Sequence, residues 1–472
     1  MAPTKTKLSD LTINILITLM VSGCSLAPDY HRPDAAVPTQ WNQHDMSLTV
    51  DDGNSSSGPY FRDERLQQLI RLTVDGNKDL QKSVLNLKKV GEQYGVERLS
   101  MLPNVALSAE ETASHLPGGI FDTVDTGAVT YHQYDVKLVS ASWEIDFWGR
   151  LRSLKEASLN EYLAAGASSR ALRINLIEST VNTYFNYLSS REAAGIASQL
   201  LKNKEMLRNM AYESMNAGAI SQSDAINASK EVERAGSELA LLKLQAQKDY
   251  NTLQLLVGRP IPDALLNGAS IGQDWKFSAL KSGLPSDILL KRPDIVAAEY
   301  ELKAANARIG AARAAFFPSV SITAEGGTSS AELGNLMSGG TQNWSFVPAI
   351  NLPIFDGGKN KANLSIAELN KQVEIINYQK SIQQAFRDVT DALASLSSTK
   401  IQSEQSEAIY AAAVKQYDMA VETQKAGEFS RETILHKNSE LLEAQNQALD
   451  SRLNFLVQSI RLYSVMGGDN SI

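Results

Sequence analysis

The second half of this chain repeats the first half, and this repetition constrains the fold more than any other feature of the sequence. The matching pairs are Gly95 with Gly310, Pro103 with Pro318, Phe147 with Phe355, Gly218 with Gly427, and Gly258 with Gly467. The heptad spacing of apolar residues in the later helical segments also agrees between the halves, which a chance match of a few glycines would not produce. Because a repeated sequence folds into a repeated structural unit, we expect two copies of one unit.

Each copy contains two segments that alternate as a β-strand does. The alternating segments are 104–114 and 130–145 in the first copy, and 319–328 and 343–352 in the second. Glycine-bearing segments join each pair, which predicts two β-hairpins, over about 104–145 and about 319–353. A tilted strand needs roughly 9–11 residues to cross a bilayer. The segments are therefore long enough for a membrane-spanning sheet, and a soluble four-stranded sheet that caps the helices is the alternative.

Very long helical segments follow the hairpins. The pattern over 151–212 contains no proline, and at about 1.5 Å per residue this helix would be roughly 90 Å long. A helix of this length indicates a coiled coil or a helical repeat rather than a globular core. Turns at Ala217-Gly218 and at Ala426-Gly427 return the chain into further helices over 221–256 and 428–465.

The N-terminal residues have the layout of a secretory signal. Lys5 and Lys7 precede the apolar run Leu11–Val21, and small residues lead to Cys24. Cys24 is the single cysteine of the chain, so it has no internal disulfide partner. The pattern looks like a bacterial lipobox, which predicts a lipid covalently attached to Cys24 and no other cofactor; a buried core cysteine is the alternative. In such lipoproteins an aspartate directly after the cysteine commonly marks retention in the inner membrane. Ser25 follows Cys24 here, which favours the outer membrane as the location of the protein.

The composition of the chain argues against nucleic acid as a partner and against a membrane-spanning helix. The formal net charge is −8, and without a Lys/Arg-rich patch we expect no nucleic-acid partner. No run reaches the roughly 18 apolar residues of a membrane-spanning helix.

The motifs suggest a division of the chain into domains. The expected division is a lipoprotein signal peptide at 1–23, a lipid-anchored extended arm at 24–60, repeat 1 at 61–265, a linker at 266–284, repeat 2 at 285–467 and a C-terminal tail at 468–472.

Four strands are too few to close a membrane-spanning sheet within one chain. Such a sheet must close, because lipid offers no partners to the N–H and C=O groups at its edges. Two chains would give eight strands and an interior filled by side chains, whereas three would give twelve strands and room for water. Geometry therefore favours a trimeric channel over a dimer.

Several stretches of the sequence resemble one known family. They are Leu284–Asp287, Arg292–Ile295, Ala305–Ala307, Ile309–Ser319, Asn351–Phe355 and Glu144–Arg150. These stretches look like the outer membrane factors of tripartite efflux pumps, and nearly the whole chain is similar to the acylated OprM-type branch of the TolC-like family. The resemblance implies an α+β membrane protein: a trimeric twelve-stranded outer-membrane β-barrel with four strands per chain, continued by a long periplasmic α-helical barrel.

The same resemblance implies a function and its partners. Such a protein gives a passive, gated exit to drugs or other toxic small molecules, and it performs no catalysis. An inner-membrane transporter, expected to be of the resistance-nodulation-division type, and a periplasmic adaptor (membrane fusion) protein would deliver these compounds. The homotrimer would be anchored by lipid in the outer membrane and would extend into the periplasm.

The resemblance also points to an aperture at the periplasmic end. In this family, residues just after the turn that opens the last helix narrow the channel, and the matching positions are Glu428, Glu432 and His436. They are spaced i, i+4 and i+8, which would place them on one helix face. Three copies would form stacked rings. The family commonly mixes apolar and acidic residues here, so two glutamates and a histidine depart from its pattern. Clustered carboxylates repel one another, so closure is expected to depend on cation binding or on a partner such as Arg431.

Asp224, in the equivalent turn of the first copy, is expected to tether neighbouring helices and so to support the gate. The alternative for all these residues is a solvated helix start, where the helix dipole favours acidic side chains without any function.

Other polar residues give no catalytic constellation. His31, His115 and His132 do not have the spacing of metal ligands. Asp146 and Asp356 precede long helices and are expected to cap them. Two other functions remain open at this point: a lipid-anchored coiled-coil scaffold with a soluble β cap, and a periplasmic hydrolase, for which no nucleophile–base pair is present.

The variant Cys24→Ser tests the lipid anchor. Each buried CH₂ of an acyl chain contributes about 0.8 kcal/mol to membrane binding, so loss of the acylated thiol should release the protein from stable anchoring even if the strands still insert. The mass of the N-terminal peptide of the mature protein, together with membrane fractionation, measures this. An unmodified Cys24 in the wild-type protein would contradict the assignment.

Overall fold

The computed structural model describes residues 26–34, 37, 60–117, 127–275, 277 and 290–468. The predicted signal peptide at 1–23 and the predicted lipid-attachment residue Cys24 lie outside the described residues. The helices are α1 (Glu64–Gly76), α2 (Lys78–Leu99), α3 (Arg150–Asn216), α4 (Gln222–Val257), α5 (Asp263–Leu266), α6 (Pro293–Ala314), α7 (Lys359–Lys425) and α8 (Arg431–Val465). The strands are β1 (Ala106–Leu116), β2 (Val129–Ile145), β3 (Ser319–Ser330) and β4 (Gln342–Asn351).

The chain forms two compact units, and both copies of the repeat contribute to each. Among the described residues, the first unit takes those up to 33, from 86 to 166 and from 297 to 378. The second unit contains the described residues from 34 to 85, from 167 to 296 and from 379 onward. None of the helices in the described part of the chain is both long enough and apolar enough to span a membrane.

The first unit contains one four-stranded antiparallel sheet with the strand order β1-β2-β3-β4. Each hairpin supplies a pair of neighbouring strands. Strand β2 of the first copy pairs with β3 of the second, from Tyr134 opposite Ser330 to Ile145 opposite Val320. The two copies therefore share one sheet, and β1 and β4 are its outer strands.

Strand β2 is irregular where it pairs with β3. The register shifts between Ser140 and Trp143, and Ser142 has a φ of 50°, a left-handed conformation that few residues other than glycine adopt. The backbone N–H of Ser142 donates to Oγ1 of Thr323 at 3.1 Å. That bond gives a partner to an amide that the regular ladder leaves out, as at a β-bulge.

The two faces of the sheet differ in polarity. Residues that pair directly across antiparallel strands share a face. One face carries Leu107, Leu138, Trp344, Phe346 and Ile350, whose exposed fractions run from 57% to 81%. The opposite face carries Glu110, Asp135, Lys137 and Glu325, with Nζ of Lys137 3.0 Å from Oδ1 of Asp135. Large apolar side chains left so exposed in one chain mark a surface that another apolar medium or protein covers.

Two aspartates cap the helices that follow the hairpins, as predicted. The carboxylate of Asp146 accepts the backbone N–H groups of Leu151 at 3.1 Å and of Arg152 at 2.9 Å. In the second copy, Asp356 accepts those of Gly358 at 2.9 Å and of Asn360 at 2.8 Å. Hydrogen bonds from these N–H groups of Asn360 and Gly358 lower the pKa of Asp356. The capping contacts explain both aspartates without a catalytic role.

The core of the second unit joins elements from both copies. Its fully buried side chains include Phe61, Ile70, Phe185, Leu253, Leu456 and Tyr463. Tyr60 stacks on Tyr463 with ring centroids 4.8 Å apart, and Phe185 meets Trp275 edge to face at 4.9 Å. Burial of a large apolar side chain contributes about 1.5–3 kcal/mol, so this shared cluster holds the first copy to the second.

Two glycines permit a close backbone approach at the ends of α1 and α4. A Cβ on Gly76 would lie 2.2 Å from the carbonyl oxygen of Val257, and a Cβ on Gly258 would lie 2.4 Å from the carbonyl oxygen of Gly76. Gly258 also has a φ of +71°, which ends α4 in the left-handed conformation that glycine adopts most easily. The side-chain amide of Asn77 donates to the carbonyl of Leu256 at 2.8 Å and strengthens the same contact.

The variant Gly258→Ala is expected to destabilise the protein more than Gly218→Ala. Both positions have positive φ, where a Cβ costs about 1–2 kcal/mol. A Cβ at Gly218 meets nothing within 4 Å, whereas a Cβ at Gly258 meets the backbone of Gly76. Thermal unfolding in detergent, followed by circular dichroism, compares the two variants. Equal shifts of the apparent midpoint would show that the backbone contact does not contribute.

Candidate functional site

Two turns with the same local chemistry position the predicted aperture residues. Gly218 follows α3 with a φ of +73°, and Gly427 follows α7 with a φ of +83°. A serine N-cap comes next in each copy: Oγ of Ser221 accepts the N–H of Asp224 at 3.2 Å, and Oγ of Ser430 accepts the N–H of Thr433 at 3.1 Å. A left-handed glycine followed by a serine cap turns the chain back into α4 and α8.

Asp224 belongs to a capping box at the start of α4. Its Oδ2 accepts the backbone N–H of Ser221 at 3.2 Å and the hydroxyl of the same serine at 2.7 Å. This reciprocal pair satisfies two donors at the helix N-terminus and stabilises the turn. Asp224 therefore has a structural role within its own helix, and its role as a tether between helices stays a prediction.

Glu432 and His436 lie one turn apart on α8. The Nε2 atom of His436 is 3.8 Å from Oε1 of Glu432, and the side chains are 58% and 62% exposed respectively. This pairing is an ion pair only when the histidine is protonated. Both side chains are accessible in the single chain.

A cavity of about 300 Å³ in the second unit brings three of the predicted residues together. Asp224, Glu432 and His436 line it along with polar residues of α3 and α4. Its apolar lining consists of Leu207, Met210, Ala211, Ile220 and Ala228. The structure thus places the first turn of α4 and the first turns of α8 around one space beside the end of α3.

Glu428 and Arg431 are placed differently from the expectation. Helix α8 begins at Arg431, so Glu428 lies in the turn before it. The expected spacing of all three aperture residues on one helix is therefore wrong for Glu428, because Gly427 and the Ser430 cap delay the helix start. The Nη2 atom of Arg431 lies 3.9 Å from Sδ of Met206 on α3. That these residues act in an aperture stays a prediction.

Two charged residues of the cavity were missed by the sequence reasoning. Nζ of Lys204 on α3 lies 3.9 Å from Oε2 of Glu231 on α4, and Arg234 lies 2.8 Å from the other oxygen of that glutamate. Glu231 follows Asp224 by seven residues and so shares its helix face, a signal that the sequence did offer. Lys204 gave no such signal, because its place depends on how α3 packs against α4.

The charged part of the cavity lining is mainly acidic. Three carboxylates, those of Asp224, Glu231 and Glu432, share the cavity with one lysine and one histidine. Across the described residues, His, Cys, Asp and Glu side chains do not gather into a group of three or more that would hold a metal ion.

Comparison with known proteins identifies the family. The family described as outer membrane efflux protein matches residues 69–259 and 284–468, one segment in each copy of the repeat. The chain is 37% identical to the probable efflux pump outer membrane protein SepC of Pseudomonas putida, over 97% of this chain and 96% of that protein. The toluene efflux pump outer membrane protein TtgF of the same species gives the same identity and coverage.

A solved structure shares the fold. The open state of the Neisseria gonorrhoeae MtrE outer membrane channel is 34% identical, with a TM-score of 0.82 over 94% of this chain and 98% of that one. Family match, relatives and fold agree with the resemblance seen in the sequence. The chain therefore belongs to the outer membrane efflux protein family, and it is an outer-membrane efflux channel rather than an enzyme.

Proposed function

We propose that three copies of this chain form the outer-membrane exit of a tripartite efflux pump. In this assembly a resistance-nodulation-division transporter in the inner membrane and a periplasmic adaptor deliver drugs or other toxic small molecules to the channel. The observation that carries the proposal is the sheet of the first unit, which has two outer strands and one strongly exposed apolar face.

The outer strands support the trimer. Strands β1 and β4 each pair on one side only within the chain. In lipid, the N–H and C=O groups on their other sides need partners, which β4 of one copy and β1 of the next would supply to each other. Three copies of four strands give twelve strands, enough for a water-filled interior. Their long helices would combine in the same way into a periplasmic α-helical barrel.

The two faces of the sheet support its orientation. The face with Leu107, Trp344 and Ile350 suits lipid, and aromatic residues on it suit the membrane interface. The face with Glu110, Asp135, Lys137 and Glu325 suits a water-filled lumen. A soluble cap over a coiled-coil scaffold would leave the first of these faces in water, where an apolar patch of this kind is rarely left uncovered.

The cavity beside the end of α3, which Asp224, Glu432 and His436 line, supports an aperture at Glu432 and His436. The proposal adds Glu428, in the turn just before α8, to the same aperture, with Asp224 and Arg431 as tethering residues. Exposed side chains that converge at the first turns of α4 and α8 are available to face the channel axis in a trimer. Since carboxylates outnumber lysines there, closure in this proposal relies on bound cations or on a partner such as Arg431.

The remaining parts of the proposal concern the anchor, the domain division and the cargo. A lipid on Cys24 would hold the protein in the outer membrane after removal of residues 1–23. The mature chain would then consist of the arm (24–60), repeat 1 (61–265), the linker (266–284), repeat 2 (285–467) and the tail (468–472). TtgF is named for toluene efflux, which supports toxic small molecules as a class. The transporter would choose among them.

Reconstitution tests the channel directly. In planar bilayers the purified protein should produce stepwise conductance, and on gels an unboiled sample should run as a trimer that collapses to one chain on heating. A monomer without conductance would favour the scaffold instead.

The variant Glu432→Ala is expected to change single-channel conductance or the leakage of drugs through the channel. Glu432 is 62% exposed, so its removal should alter the free energy of unfolding by no more than about 0.5 kcal/mol. Glu422→Ala is the matched control, since Glu422 is an exposed glutamate paired with Lys425 on α7. Identical conductance in wild type and Glu432→Ala would remove this residue from the aperture.

The open pore is expected to prefer cations. Carboxylates exceed lysines both around the cavity and on the polar face of the sheet, and rings of acidic side chains favour cation passage. The reversal potential in a potassium chloride gradient measures this preference. A reversal potential of the sign for chloride would contradict it.

A further inference from the structure

The N-terminal arm contacts one face of α6 in a regular order. Nη1 of Arg313 donates to the carbonyl of Leu26 at 3.3 Å, Nδ2 of Asn306 donates to the carbonyl of Pro28 at 2.7 Å, Nζ of Lys303 lies 5.2 Å from the ring centroid of Tyr30, and Nη2 of Arg32 donates to Oε2 of Glu299 at 2.8 Å. The arm residue number rises as the helix residue number falls. Residues 26–32 therefore run antiparallel to α6.

The spacing of the helix residues matches the length of the arm. Glu299, Lys303, Asn306, Gly310 and Arg313 are separated by four, three, four and three positions, which puts them on one face of α6. We call these five residues the α6 track. At about 1.5 Å per residue the track is about 21 Å long, and an extended chain covers about 20 Å between residues 26 and 32. The arm is thus nearly fully extended along it.

Glu299 is the centre of the polar contacts. Its side chain is only 10% exposed. Its Oε1 accepts Nε of Arg32 at 3.2 Å, Nη2 of Arg32 at 3.0 Å and the hydroxyl of Tyr30 at 3.3 Å, and Nζ of Lys303 lies 3.0 Å from it. Burial acts to raise the pKa of Glu299, but hydrogen bonds from Lys303 and Arg32 outweigh it and leave that pKa below its ordinary value.

Gly310 lets the arm backbone touch the helix. A Cβ at this position would lie 2.8 Å from N and 2.9 Å from Cα of Ala27, and 2.6 Å from Oγ of Ser153. Backbone atoms cannot move aside as the end of a flexible side chain can. The arm contact therefore requires glycine here.

We infer that residues 26–32 are a strap that binds the α6 track through side-chain and backbone contacts of the protein alone, whether or not a lipid is attached. The strap fixes its first residue, Leu26, beside Arg313 at the C-terminal end of α6. Two residues of chain reach at most about 7 Å, which limits how far from this point a lipid on residue 24 could be attached. Strand β3 begins at Ser319, shortly after that end. The inference refines the proposed lipid anchor and uses that proposal only for the role of residue 24.

Hydroxyl-radical footprinting of Tyr30, read by mass spectrometry, tests the strap in the unacylated variant Cys24→Ser. In this background Arg32→Ala and Glu299→Gln each remove charged hydrogen bonds to the strap. We expect the rate of Tyr30 modification to rise about twofold or more in both. Loss of such bonds shifts the docking equilibrium by about fivefold or more, and Tyr30 is already partly exposed when the strap is docked. The core residues Tyr184 and Tyr463 are 1% and 0% exposed, and their unchanged rates would show that the fold persists.

Matched controls lie beside each altered residue. His31 neighbours Arg32 and is exposed, and Glu301 lies on α6 outside the track and is exposed. His31→Ala and Glu301→Gln in the same background should leave the Tyr30 rate unchanged. If Tyr30 in Cys24→Ser alone reacts as fast as in Cys24→Ser/Arg32→Ala, the strap does not bind without lipid and the inference is wrong. A wild-type N-terminal peptide without lipid would instead refute only the proposed anchor.

Discussion

The hydrogen-bonding demand of the strand backbone is the constraint on which the rest of this structure depends. Within the chain, the ladders between β1 and β2, β2 and β3, and β3 and β4 satisfy the inner sides of the strands. The outer sides of β1 and β4 have to be satisfied elsewhere, and lipid cannot do it. The fold of one chain therefore prescribes contact with other copies. This explains why a chain with a well-packed helical unit still carries an unfinished sheet.

The two copies of the repeat share the residues that form their turns, and they differ in charge at the predicted aperture positions. Gly218 and Gly427 both adopt positive φ, and Ser221 and Ser430 both cap the next helix. The predicted aperture positions differ in charge between the copies: Glu428, Glu432 and His436 align with Ala219, Ser223 and Asn227. The turns are thus held by residues common to both copies, while the predicted aperture residues occur in the second copy alone.

Local patterns in the sequence predicted most of the fold. Alternation located the strands, proline-free heptads located the long helices, and Asp146 and Asp356 were correctly expected to be caps. The site was predicted less well. The helix start at Arg431 depends on the cap at Ser430, so Glu428 was wrongly placed on the helix face. Lys204 and the strap on α6 depend on tertiary packing: Arg32 and Glu299 are 267 residues apart, and no periodicity connects such positions.

The irregularity in β2 has a consequence for the phase of the sheet. Before it, even-numbered residues such as Leu138 lie on the apolar face, opposite Gly326. After it, Trp143 lies opposite Ile322, which belongs to that same face, so the odd-numbered residues have changed sides. If strict alternation had continued past the bulge, the indole ring of Trp143 would lie on the polar face with Lys137. The one extra residue in β2 thus places the indole ring of Trp143 on the apolar face without altering any other strand. The bulge at Ser142 therefore exchanges the faces that the odd-numbered and even-numbered residues of β2 occupy.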